Sequence, residues 1–94
     1  MPFERLIFRV HALRRMFERN ISVEDVRHIL KTGSVIETYP NDKPYPSCLM
    51  LGFIKTRPIH VVAANNEQEK EMIVITVYEP TSDQWENNFK RRRK

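Results

Sequence analysis

The apolar pattern of this chain changes period once, near Gly33, and that change limits the fold more than any other feature. Ahead of it the spacing is helical. Val10, Leu13, Met16 and Phe17 fall on one face of a helix running from about Val10 to Arg19. Asn20 can take the left-handed conformation that ends a helix. Ser22 then stands as an N-cap with Asp25 three residues on, and Val23, Val26, Ile29 and Leu30 share the apolar face of a second helix that stops at Gly33. Beyond Gly33, the runs Ser34–Tyr39, Ser47–Lys55, Ile59–Asn65 and Met72–Glu79 are strand-like, rich in β-branched and apolar residues. Their connections are the proline-rich Pro40–Pro46, the tight Thr56–Pro58 and the polar Asn65–Glu71. Connections this short join antiparallel strands, not parallel ones.

The ends of the chain complete the expected architecture. Arg5 and Arg9 would spoil the apolar face of a longer first helix, so Phe3–Phe8 reads as an extended lead-in or short strand. Pro80 closes the sheet, and Ser82–Phe89 is expected to form a last helix with Trp85 and Phe89 on one face. The expected fold is α+β: two N-terminal helices, an antiparallel pair, packed on a four-stranded antiparallel sheet, with a short C-terminal helix. Residues 1–89 then form one domain and residues 90–94 a basic tail.

Composition excludes several function classes. Two glycines leave no room for a glycine-rich phosphate loop. A single cysteine, Cys48, permits neither an internal disulfide nor a cysteine zinc site, and its apolar surroundings predict a buried, inert thiol. His11 and His60 have no third ligand at metal-binding spacing, so no metal and no cofactor are expected. No apolar run has membrane-spanning length, and Leu6–Phe8 is too short for a secretory core, which predicts a cytoplasmic chain with no membrane partner. The net charge of +4 is smaller than the five positive charges of residues 90–94 alone, so the remainder is slightly negative. Residues 1–19 nevertheless hold five arginines against Glu4 and Glu18. His11, Arg15 and Arg19 recur every fourth residue on one face of the first helix, a surface suited to phosphate.

These residues carry a resemblance. The run His11-Ala12-x-x-Arg15-Met16-x-x-Arg19, followed by Ile21-Ser22 and Asp25-Val26, resembles the signature of the bacterial family known as domain of unknown function 4258. Gly33, Ile36-Glu37, Tyr39, Pro46, Leu51-Gly52, Arg57-Pro58-Ile59-His60-Val61-Val62 and Val74-Ile75-Thr76-Val77-Tyr78-Glu79-Pro80 fit the same pattern. Arg9 departs from it, standing where relatives often carry a hydroxyl, and so does Asn20, where they often carry glycine. The family is similar in layout to toxins of the RelE and MqsR kind, with a RelE/barnase-like fold. The resemblance implies a toxin-like, metal-independent endoribonuclease, an mRNA interferase of a toxin–antitoxin pair. Its partners would be RNA, including ribosome-bound mRNA, and a cognate antitoxin of the zinc-finger or helix-turn-helix type. The alternative is a non-catalytic module that binds nucleic acid or an acidic partner through the same basic surfaces.

Metal-independent RNA cleavage makes the substrate's own 2′-hydroxyl the nucleophile, so it needs proton-transfer groups and cations around the phosphorane. Histidine suits the first role, with an ordinary pKa of about 6.5, and arginine the second through its bidentate fork. His60, at the start of an apolar strand, is the first candidate acid or base; the plain alternative is a strand-end imidazole bonded to backbone. His11 opens the first helix, where the positive dipole end favours a neutral base. Alternatively it pins helix to sheet. Arg15 is the first phosphate-binding candidate, unless Glu37 or Glu79 claims it. Tyr78 shares a strand face with Thr76 and could reach phosphate or sit as a core phenol with its hydroxyl at the rim. Arg19, Arg57 and Tyr45 complete the expected RNA contacts, against the plainer readings of solvated arginines and loop packing.

Overall fold

Two local signals set the helices. Asn20 is left-handed at φ 56°, and its backbone N–H returns to α1. Ser22 and Asp25 close a reciprocal capping box at 3.0 Å in each direction. The computed structural model describes residues 3–93, with β1 Arg5–Phe8, α1 Val10–Arg19, α2 Val23–Thr32, β2 Ser34–Tyr39, β3 Ser47–Ile54, β4 Arg57–Asn66 and β5 Glu71–Tyr78. Met1 and Pro2 of the expected domain and Lys94 of the expected tail lie outside the described residues. Arg9 occupies the N-cap of α1 without a side-chain cap. No helix among the described residues is long and apolar enough to cross a membrane.

The architecture is α+β, two helices on a five-stranded mixed sheet of order β1-β5-β4-β3-β2. The expected four antiparallel strands are present as β2–β5, with bulges between Val35 and Glu37 and between Val62 and Ala63. A fifth strand corrects the expectation: β1 lies parallel beside β5, pairing Arg5 with Glu71 and Phe8 with Val74. Connection length constrains only consecutive strands. Both helices and three strands separate β1 from β5, which is ample for a parallel crossover.

The C-terminal helix is absent. Thr81 accepts hydrogen bonds from the N–H groups of Gln84 and Trp85, which makes a single turn. Trp85 then bridges antiparallel to Arg92, and the backbone N–H groups of Glu86 and Arg93 donate to the carbonyls of Arg91 and Gln84. Asn87 and Asn88 are weak helix formers, and Phe89 is left-handed at φ 59°. Residues 90–93, part of the expected basic tail, are exposed and form the second arm of this loop.

One face of the sheet carries the core. Ala12 and Met16 of α1, Val26, Ile29 and Leu30 of α2, and Cys48, Met50, Ile59, Val61, Ala63, Met72, Val74 and Val77 of the strands form one buried cluster. Val10, Leu13 and Phe17 are exposed instead, although they share the apolar stripe of α1. α1 lies over β5, and α2 lies over β3 and β4. The second approach is close. A Cβ on Gly33 would sit 2.6 Å from the Ile29 carbonyl oxygen and 2.7 Å from that of Leu51. Both are backbone atoms and cannot swing aside. Gly33→Ala is therefore expected to cost about 1–3 kcal/mol in urea unfolding; unchanged stability would show that α2 and β3 have room to separate.

Candidate functional site

The face opposite the helices is where titratable side chains gather. Strand alternation puts Leu51, His60 and Tyr78 in one row across β3, β4 and β5, and Leu49, Val62 and Thr76 in the next. On β2, Glu37 extends the second row opposite Leu49, and Tyr39 stands one row further on, opposite Ser47. The C-terminal loop covers the middle of this face. Its Trp85 is 1% exposed and meets the His60 ring edge-on at 4.3 Å between centroids.

His60 is fully buried, and both ring nitrogens are engaged. Nε2 lies 2.8 Å from the Phe89 carbonyl oxygen and Nδ1 lies 3.1 Å from the Tyr78 hydroxyl. A carbonyl only accepts, so Nε2 carries the proton and donates it. In the neutral ring Nδ1 then accepts from the Tyr78 O–H. The result is a directed chain, phenol to imidazole to carbonyl, in which one tautomer is fixed by a backbone group. Burial lowers the His60 pKa below 6.5, with the Phe89 carbonyl opposing, the Arg92 charge adding to the shift and Glu37 opposing. Burial also raises the phenols of Tyr78 and Tyr39 above 10.0. Arg92 pulls both back down, and Glu37 pushes both up. Arg92 itself lies over the Trp85 ring, 4.7 Å from its centroid.

The other expected site residues lie elsewhere. His11 is exposed at the start of α1, on the helix side of the sheet, and has no side-chain hydrogen bond among the described residues. Arg15 is exposed on the same helix and pairs with Glu18 at 3.4 Å, not with Glu37 or Glu79. The sheet separates both from His60, so the expected convergence of helix and strand residues does not form. A helix-side position for α1 places its outer face away from the strand side chains that point through the opposite face. Arg57 is committed to structure. Its Nε and Nη2 donate to the Glu79 carboxylate at 3.1 Å each, and Nη2 also donates to the Arg19 carbonyl at 2.8 Å. It thus ties the end of α1 to Glu79, the residue after β5. The Arg19 side chain is exposed, and Tyr45 is half-buried in the proline-rich loop. Cys48 is buried, and burial raises its thiol pKa, as an inert core thiol requires. Among the described residues no three His, Cys, Asp or Glu side chains converge as metal ligands.

Glu37 and Arg92 were not singled out by sequence reasoning for this face. Period-two alternation along Ser34–Tyr39 could have placed Glu37 and Tyr39 together. Nothing in a run of basic residues marks Arg92 apart from its neighbours.

The lowered His60 pKa has a thermodynamic consequence. Below about 6.5 the unfolded chain takes up a proton that folded His60 resists. Its contribution to stability is thus fully present above that pH and is lost as pH falls from 7 towards 5. Thermal unfolding across this range should show a smaller loss of midpoint in His60→Gln than in the parent chain; equal slopes would mean that His60 charges freely in the fold.

Neither the comparison with curated proteins nor that with solved structures returns a match. The model of the family described as Domain of unknown function (DUF4258) matches residues 8–79, from the end of β1 past the end of β5. His60, Tyr78, Glu37 and Tyr39 fall within that span, while Trp85, Phe89 and Arg92 lie beyond it. The chain belongs to the DUF4258 family.

Proposed function

We propose that this protein is a metal-independent endoribonuclease of the toxin kind, with its site on the helix-free face of the sheet. The observation that carries the reading is the chain from the Tyr78 hydroxyl through His60 to the Phe89 carbonyl. Its polarity is that of a proton relay. Tyr78 stands half-exposed at the rim, and its oxygen takes the proton of a substrate 2′-hydroxyl as its own proton passes to Nδ1 of His60. The carbonyl at Nε2 stabilises the imidazolium so formed. The 2′-oxygen attacks phosphorus, the bond to the 5′-oxygen breaks with a solvent proton going to that oxygen, and a 2′,3′-cyclic phosphate results. Arg92 supplies positive charge beside the relay for the phosphorane. Burial keeps His60 neutral at pH 7, the state in which it can accept a proton.

This assignment keeps His60 and Tyr78 and removes His11, Arg15 and Arg57 from the chemistry. RNA is the proposed substrate, and an antitoxin the proposed inhibitor. A second reading has its own support. His60 is wholly enclosed, which suits a non-catalytic module that holds RNA through the outward arginines of α1.

Cleavage of a single-stranded RNA in excess EDTA separates the two. The nuclease reading expects cyclic-phosphate ends and a rate that rises from pH 5 to 7. Tyr78→Phe should lose about a hundredfold or more. His11→Ala and Arg15→Ala should stay within about threefold of the parent, since neither reaches the relay. Intact RNA under all conditions, with binding weakened by Arg15→Ala, would leave the module reading in place.

A further inference from the structure

The apolar stripe of α1 is wider than the surface the domain offers it. Ala12 and Met16 are 0% and 3% exposed and fill the contact with the sheet. Val10, Leu13 and Phe17 are 70%, 44% and 88% exposed. They recur at i, i+3 and i+7, so they form one continuous strip beside the buried pair. Isolated exposed apolar residues are ordinary, but an aligned strip that includes a nearly bare phenylalanine is not.

The rim of the strip is basic. Arg14 lies four residues after Val10 and three before Phe17, so it borders both. Arg9 stands at the N-cap, one position before Val10. Among the described residues neither arginine has a carboxylate partner. The single acid on α1, Glu18, is paired with Arg15 at 3.4 Å. A second copy of this helix would bring the same unpaired arginines and no free carboxylate. Nucleic acid would satisfy the arginines but leave Val10 and Leu13 facing a polar backbone.

We propose that Val10, Leu13 and Phe17 seat an acidic amphipathic helix from a partner protein. The spacing fits helix-on-helix packing, with the partner's apolar residues meeting the strip and its Asp or Glu side chains meeting Arg9 and Arg14. The inference is independent of the nuclease reading, because the strip lies on the helix side of the sheet and the relay on the other.

The test uses the full chain and a fluorescent helical peptide of about sixteen residues, with leucine at i, i+3, i+4 and i+7 and glutamate flanks. A control peptide replaces every glutamate with lysine. The glutamate peptide should bind the parent chain and the lysine peptide should bind about tenfold or more weakly. Phe17→Ser should lose about tenfold or more, and Arg14→Glu should lose affinity while flattening its salt dependence. Both positions are exposed, so circular dichroism and the thermal midpoint should match the parent. Absence of glutamate-peptide binding, equal affinity for the two peptides, or insensitivity to Phe17→Ser overturns the proposal. So does a concentration-dependent dimer abolished by Phe17→Ser, which assigns the strip to a second copy, or RNA binding lost in that variant.

Discussion

Burying an imidazole is costly unless both nitrogens find partners, and the far side of this sheet is organised around meeting that requirement. Tyr78 answers one nitrogen from the neighbouring strand, and the Phe89 carbonyl answers the other from beyond the sheet. The second partner requires the chain to cross back after β5. The loop that does so also delivers Trp85 onto the ring and holds itself together through the Trp85–Arg92 bridge. The order of dependence runs from the solvation of one side chain to the path of the C-terminal segment.

The two sides of the sheet do different work. On the helix side, small and flexible residues, Ala12 and Met16, let α1 settle close to β5, and Gly33 and Gly52 let α2 settle on β3. On the other side, polar and aromatic groups take the place of helices. Arg57 links the two, reaching from the start of β4 to the end of α1 and to Glu79 after β5. That one guanidinium fastens three elements, which makes its removal a structural event and not the loss of an RNA contact.

Legibility in the sequence followed the range of the interactions involved. The helices could be read almost to the residue because their signals are local: an apolar stripe, an asparagine that takes left-handed backbone, and a serine–aspartate capping box. β3, β4 and β5 were visible as β-branched runs, and their antiparallel pairing followed from short connections. The partner of β1 was not visible, because Arg5 meets Glu71 and no local pattern reports such a pairing. The same limit applied to the site. The row shared by His60 and Tyr78 follows from register, but the enclosure of His60 depends on a carbonyl twenty-nine positions away. Periodicity placed Val10, Leu13 and Phe17 correctly on one side of α1. It could not tell that the sheet covers only part of that arc.

The parallel placement of β1 has a bearing on how the domain assembles. The hairpins of β2 through β5 can zip from neighbour to neighbour, each closing a short loop. β1 must wait for the strand farthest from it in the chain, and the packing of α1 on β5 is what brings the two together across so long a loop. During synthesis the N-terminal segment emerges first, yet its partner strand is the last of the sheet to be made. Until then Leu6 and Phe8, which pack against the core in the finished molecule, stay in water with their backbone unpaired.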